Sequence, residues 1–110
     1  MRTLVGIAVL GALGSVGAQN GWTLRTPTPA PSPRGWNMLT FDFPRGVTVL
    51  FGGHPGLGDT WEWNGTTWTA KVAVAGPPAR SATMTAFEQA TGRTILFGGL
   101  DAAGTPHGGT

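Results

Sequence analysis

The sequence predicts an all-β fold built from a repeated unit of four short antiparallel strands. Gly (19 residues) and Pro (9 residues) separate short apolar runs and form no tracts of their own, which is typical of turn-rich β structure. No helical periodicity follows residue 18. The chain also matches itself when it is shifted by 46 residues, which indicates that one structural unit occurs more than once.

The internal repeat consists of identical residues that keep the same spacing in both copies. An arginine precedes an apolar run, and a double glycine follows it, in each copy. The identical pairs are Pro31 with Pro77, Arg34 with Arg80, Met38 with Met84, Phe41 with Phe87, Gly46 with Gly92, Thr48 with Thr94, Leu50 with Leu96, Phe51 with Phe97, Gly52-Gly53 with Gly98-Gly99, and Gly58 with Gly104. So many matches without a gap predict that the two copies share one structure.

Local patterns divide each unit into strands. The second strand is β-branched and apolar, as expected of a strand that is covered on both faces. The third strand alternates Trp61 and Trp63 with polar residues, and Asn64-Gly65 after it is a strong two-residue hairpin signal. The predicted strands are 36–42, 47–51, 59–63 and 67–71 in the first copy, and 82–88 and 93–97 in the second.

Several residues of the unit follow a known family pattern. They are Pro33-Arg34 before the first strand, Gly52-Gly53 after the second, Trp61 or Trp63 on the third, and Trp68 after the next turn. In this register the chain resembles kelch repeats of the bacterial type, similar to the central domain of galactose oxidase, although Trp replaces the usual third-strand Tyr. The resemblance implies kelch-type β-propeller blades of four antiparallel strands, with about one full blade plus partial blades in this chain.

The repeat also predicts how the chain is organised. Trp22-Thr23 matches Trp68-Thr69, so a last strand is expected to open the mature chain. The predicted parts are a signal peptide (1–18), an outer strand of a partial blade with its link (19–30), a complete kelch-like blade (31–76) and the start of the next blade (77–110). A propeller needs several blades, so the chain is expected to be a fragment of a longer protein, or one of several short chains that assemble into a ring.

The amino terminus has the pattern of a secretory signal. Arg2 supplies a positive start, a short apolar stretch follows at 3–13, and small residues precede a predicted cut after Ala18. The stretch is short for a bilayer span, although an uncleaved anchor is an alternative interpretation. The protein is therefore predicted to be secreted or periplasmic, with no membrane span in the mature chain.

Composition excludes several classes of function. Seven basic residues against five acidic residues form no cluster, so no nucleic-acid partner is predicted. The chain contains no Cys and no Tyr, so the copper site of galactose oxidase does not carry over and no cofactor is predicted. His54 and His107 have no nearby second ligand, which predicts no metal site. No catalytic residue is named, because the carboxylates are too few to indicate an acid–base pair.

Four residues are candidate ligand contacts. Trp36 does not repeat, since its counterpart is Ala82, and a unique aromatic side chain suits sugar stacking. Arg34 and Arg80 do repeat, which favours a structural pairing with a carboxylate or with loop carbonyls; a set of arginines facing acidic partners is the alternative. His54 lies in the loop after the double glycine.

The remaining repeated residues are predicted to be structural. The glycines end the second strand at a bend that only Gly tolerates, and the tryptophans suit packing between blades. These residues are Gly52, Gly53, Gly98, Gly99, Trp61, Trp63 and Trp68.

The predicted function is a binding module for a protein or carbohydrate ligand. Rigid blades would present the loops at 54–58, 100–109 and 72–79, and further blades of the same full-length chain are the other expected partners. The alternative is part of a kelch-like carbohydrate-active enzyme, a hydrolase or an isomerase, whose catalytic residues lie outside this segment. A purely structural segment of a large surface protein is a third interpretation.

Overall fold

The computed structural model of the protein describes residues 21–109. These residues contain six strands and no helix, which confirms the all-β prediction. The strands are β1 (Met38–Asp42), β2 (Val47–Gly53), β3 (Leu57–Trp63), β4 (Trp68–Lys71), β5 (Met84–Glu88) and β6 (Arg93–Phe97). The predicted signal peptide lies outside the described residues. At the predicted outer strand near residue 23, the structure has only a bridge at Thr23.

The strands form two antiparallel groups, a four-stranded sheet in the order β1-β2-β3-β4 and a hairpin of β5 and β6. We call residues 31–76 unit 1 and residues 77–109 unit 2. The β5–β6 hairpin reproduces the β1–β2 hairpin in register, because Met38 pairs with Phe51 and Met84 pairs with Phe97. The internal repeat of the sequence is therefore also a structural repeat across these two hairpins.

Tight turns close the β1–β2 and β3–β4 hairpins of unit 1, and the second of them is the predicted Asn64-Gly65 turn. Gly46 has a φ of 64°, and its backbone N donates to Phe43 O at 3.2 Å to close the first hairpin. The Asn64 side chain closes the β3–β4 hairpin, since its Oδ1 accepts from the backbone N of Thr66 at 2.9 Å and of Thr67 at 2.8 Å. The meander therefore follows from local turn chemistry.

The first strand of each unit starts two residues later than predicted. Trp36 and Ala82 have φ values of 53° and 54°, in the left-handed region that an extended strand does not use. β1 and β5 therefore begin at Met38 and Met84. The second and third strands of unit 1 are each two residues longer than predicted, because pairing continues to Gly53 and Leu57 beyond a register shift.

The sheet of unit 1 has two apolar faces. We call the face with Leu50, Trp61 and Trp63 the front face; Leu50 and Trp63 are buried with Trp68 beside Ala30. The opposite side, which we call the back face, buries Met38, Val49 and Phe51. Burial on both faces confirms the prediction that β2 is covered on both sides.

The two units stack front to back. Leu96, the counterpart of Leu50 on the front face of unit 2, packs against the buried back-face cluster of unit 1. The back face of unit 2 carries equivalent residues, namely Met84, Ile95 and Phe97, but they are exposed. One type of face is therefore covered in unit 1 and open to solvent in unit 2.

The repeat changes register after Gly99. In unit 1, Gly53 pairs with Leu57, whereas in unit 2 Leu100 pairs with Pro106 across a longer loop. Asp101 shapes this loop, since its Oδ1 accepts from the backbone N of Ala103 at 2.9 Å and of Thr105 at 2.8 Å. The predicted match of Gly58 with Gly104 is therefore wrong as a structural equivalence.

Candidate functional site

The four candidate ligand residues gather where β2 ends and the next unit begins, a region that we call the loop end. Backbone hydrogen bonds join its parts. His54 N donates to Gly35 O at 2.9 Å, and Ala82 N donates to Trp36 O at 2.8 Å. Gly53 N donates to Arg80 O at 3.1 Å, which ties the first unit to the start of the second. The fold thus brings together residues that are up to 46 positions apart.

Arg34 is a structural residue of unit 1. Its side chain is only 4% exposed, and it forms a bidentate ion pair with Asp59, with Nη2 to Oδ2 at 2.8 Å. The guanidinium also donates to Ser32 O at 3.0 Å, to Ser32 Oγ at 2.9 Å and to Gly52 O at 3.2 Å. These contacts confirm the expected pairing with a carboxylate and loop carbonyls, and they occupy the donors that a ligand would need.

Asp59 is held as a carboxylate by this pair. The hydrogen bond from Arg34 is the main cause that lowers the pKa of Asp59, burial opposes it, and a bond from Trp61 Nε1 at 2.7 Å adds to it. Asp59 therefore satisfies both a buried guanidinium and the indole N–H of a partly buried tryptophan.

Asp59→Asn is expected to destabilise the chain at pH 7 by about 1–2 kcal/mol, a figure reduced from that of a buried pair because Asp59 is 42% exposed. A carboxyl with a lowered folded-state pKa stabilises the fold above its unfolded pKa of about 3.9, and this contribution is lost as the pH falls through the folded-state pKa. Urea unfolding at pH 7 and pH 2 should therefore show a smaller gap between variant and wild type at pH 2. An equal gap at both pH values would contradict this role of Asp59.

Arg80 repeats the Arg34 geometry without the ion pair. Its Nε donates to Pro78 O at 3.0 Å and its Nη1 donates to Gly98 O at 2.9 Å, as Arg34 does to Ser32 O and Gly52 O. The residue is 5% exposed, and it forms no ion pair within residues 21–109. The carbonyl contacts fit the predicted structural role. The two arginines differ at Nη2, which donates to Asp59 Oδ2 in Arg34 and has no hydrogen bond within residues 21–109 in Arg80.

Trp36 presents an aromatic surface at the loop end. Its side chain is 66% exposed, and its ring meets the ring of exposed His54 edge to face, with centroids 5.2 Å apart and planes at 75°. A positive φ is rare for a bulky residue. Ala82 has the same backbone conformation in unit 2, so the turn belongs to the repeat, and the indole is an addition specific to unit 1.

The double glycine of unit 1 lies close to neighbouring backbone, and two of the repeated-unit tryptophans lie in the core. A Cβ on Gly52 would overlap Arg80 O, and a Cβ on Gly53 would lie 3.0 Å from Gly35 O. Trp63 and Trp68 are buried, with ring centroids 5.4 Å apart. The double glycine therefore allows the close backbone approach that the next unit requires.

An ion-pair network at the opposite end of the sheet was missed by the sequence analysis. Arg45 bonds to buried Asp42 at 2.5 Å and to Glu62 at 2.8 Å, and Lys71 lies 3.2 Å from Glu62. Burial would raise the pKa of Glu62, but the bonds from Arg45 and Lys71 outweigh it and the pKa is lowered. The hydrogen bond that Arg45 donates to Asp42 is the main cause that raises the pKa of Arg45. Because the network ties three strands together, it acts in the fold and not at the loop end.

Two further observations concern cofactors and membranes. Within the described part of the chain, no group of three or more His, Cys, Asp or Glu residues is placed to hold a metal ion. In that same part, no helix has the length and apolar character needed to cross a membrane. Comparison with protein-family models, curated proteins and solved structures finds no match to this chain.

Proposed function

We propose that the chain supplies kelch-like blades to an exported β-propeller, which acts as a binding module for a glycan or protein ligand at the loop end. The repeated hairpin register, the front-to-back stacking and the repeated arginine contacts support the blade assignment. The apolar amino terminus supports export through a secretory signal cut after Ala18.

Trp36 is the observation that carries the binding role. A side chain of this size that stays 66% exposed beside His54 contributes little to the core. The flat apolar face of an indole binds the C–H face of a sugar ring, and its N–H provides a polar contact at the rim. A glycan is therefore the ligand that we propose first, and a protein surface is the alternative. Binding by rigid loops that carry variable side chains is a usual division of roles in such scaffolds.

Trp36→Ala is expected to reduce glycan affinity about five- to tenfold, because a stacked aromatic group contributes on the order of 1–1.5 kcal/mol to binding. The measurement is a glycan-array screen of the wild-type chain, followed by calorimetric titration of the strongest saccharide into each variant. Trp22→Ala is the matched control, since Trp22 is 80% exposed and precedes both units in the chain.

The control keeps the test selective. Trp22→Ala should bind as the wild type does, and both variants should melt as the wild type does. Absence of any saccharide ligand, or equal losses in the two variants, would refute the glycan-binding role of Trp36.

A further inference from the structure

The stacking of the two units covers one face of each unit and leaves part of the other face open. Where the units meet, Leu96 on the front face of unit 2 packs against Met38, Val49 and Phe51 on the back face of unit 1. Strand β1 also contacts both β5 and β6. The chain therefore contains its own example of a front face that covers a back face.

The back face of unit 2 is the first open surface. We call Met84, Ile95 and Phe97 the open back patch, and their side chains are 79%, 38% and 58% exposed. Met84 pairs with Phe97 across the hairpin, and Ile95 lies on the same face of β6, so the three side chains are neighbours. Their counterparts in unit 1 are the buried residues that unit 2 covers. No unit within residues 21–109 covers the open back patch in the same way.

The front face of unit 1 carries the second open surface. Leu39 pairs with Leu50, and Phe41 lies on the same face because side chains alternate along a strand. Phe43 follows in the turn, with its ring edge to face against the ring of Phe41 at a centroid distance of 6.2 Å. We call Leu39, Phe41 and Phe43 the open front patch, and their side chains are 49%, 50% and 71% exposed.

The repeat shows this front position in a covered state. Phe87 is the counterpart of Phe41, and it is half-buried on the face of unit 2 that lies on unit 1. Along β5 and β6, half-buried residues of the front face alternate with exposed residues of the back face. The front position is therefore covered where a back face lies against it, in unit 2, and exposed in unit 1.

We propose that the open back patch of one copy of the chain docks on the open front patch of a second copy. The contact continues the stacking of the two units, since a back face meets a front face in both cases. Burial of exposed apolar patches is favourable, and such patches mark association sites. Because the two patches differ, the contact is heterologous and one copy can bind two neighbours. The proposal goes beyond the glycan-binding role and does not depend on it.

The association is expected to be weak. Each patch presents three large apolar side chains, whereas a standard interface involves roughly 20–30 residues on each side. We expect the wild-type chain to be monomeric at micromolar concentration, where the stability of the single chain is measured. Toward millimolar concentration, the weight-average mass from sedimentation equilibrium should rise beyond that of two chains.

Two variants test the pairing of unlike patches. Phe97→Asp places a charge in the open back patch, and Phe41→Asp places one in the open front patch. Each variant alone should lose at least about tenfold in association constant, because an unpaired charge is costly to bury. Mixed in equal amounts, the two variants should form complexes of two chains and no larger, because each retains the patch that the other lacks.

Controls separate the patches from a general effect of charge and from misfolding. Val74→Asp is the matched control, since Val74 is fully exposed and belongs to neither patch, and this variant should associate as the wild type does. Met84→Asp and Phe43→Asp are second variants of the two patches, at strongly exposed positions. They replace the first pair in the mixing experiment if near-ultraviolet circular dichroism shows that either member of that pair is misfolded.

Three outcomes would overturn the proposal. A wild-type chain that stays monomeric up to millimolar concentration would leave the open back patch to a partner other than a second copy. Loss of association in only one of the two single variants would indicate a contact between like patches. An equal loss in Val74→Asp would show that added charge alone is responsible. Because no saccharide enters the measurement, none of these outcomes bears on the role of Trp36.

Discussion

Replacing Gly52 with alanine is expected to lower the free energy of unfolding by about 3 kcal/mol or more, a large part of the total for a small domain. Gly52 has a φ of 66°, which costs an L-residue about 1–2 kcal/mol by itself. The new Cβ would also overlap Arg80 O and lie 3.2 Å from Leu57 O. Both atoms belong to the backbone, so the clash is relieved only by moving the chain.

The movement would break contacts between the units. Arg80 O accepts from Gly53 N, and Arg80 N donates to Leu57 O, both at 3.1 Å. Urea unfolding followed by tryptophan fluorescence measures the loss. Gly46→Ala is the matched control, because Gly46 has a φ of 64° and a Cβ there would meet no atom within 4 Å. Equal effects at Gly46 and Gly52 would show that backbone conformation alone sets the cost.

Phe51→Ala is expected to destabilise the protein by about 3–5 kcal/mol, since it removes a buried aromatic ring and leaves a cavity. Phe51 is 4% exposed in the back-face cluster with Met38 and Val49. The chain supplies its own control at the repeat counterpart, because Phe97 is 58% exposed. Phe97→Ala is expected to cost less than about 1 kcal/mol, as exposed positions usually do.

Thermal and urea unfolding of the two variants measure the difference between a covered and an open back face. Phe97→Ala should also reduce any self-association of the chain measured by light scattering, because it decreases the area of the exposed apolar surface. Comparable destabilisation at the two positions would mean that the back face of unit 2 is covered in solution and would contradict the exposure seen at Phe97.

Much of the fold was predictable because its causes are local. The Asn64 side chain and the glycine after it define a turn through bonds to the next two or three residues. Alternation on β3 separates Trp61 and Trp63 from Glu62 in any extended chain. Identical residues at one spacing predicted two hairpins with one register, and the structure agrees, because Met38 pairs with Phe51 and Met84 pairs with Phe97.

The missed features depend on contacts between distant residues or on rare backbone states. Nothing in the residue types Trp36 and Ala82 indicates a left-handed φ, so the strand starts were placed too early. The pairing of Arg34 with Asp59 joins residues 25 positions apart, and the antiparallel order of β1, β2 and β3 brings them together. The residue types of the candidate site could therefore be predicted from the sequence, but the hydrogen-bond and ion-pair partners of those residues could not.

Front-to-back stacking has a consequence for assembly. The interface between the two units is head-to-tail, because the front face of unit 2 packs on the back face of unit 1. In a head-to-tail series, the last module always leaves one face uncovered, as the back face of unit 2 is here. Such growth ends when the series closes on itself or meets a terminal layer that has no complementary side. The exposed side chains of Met84, Ile95 and Phe97 therefore belong to the same kind of face that unit 2 covers on unit 1.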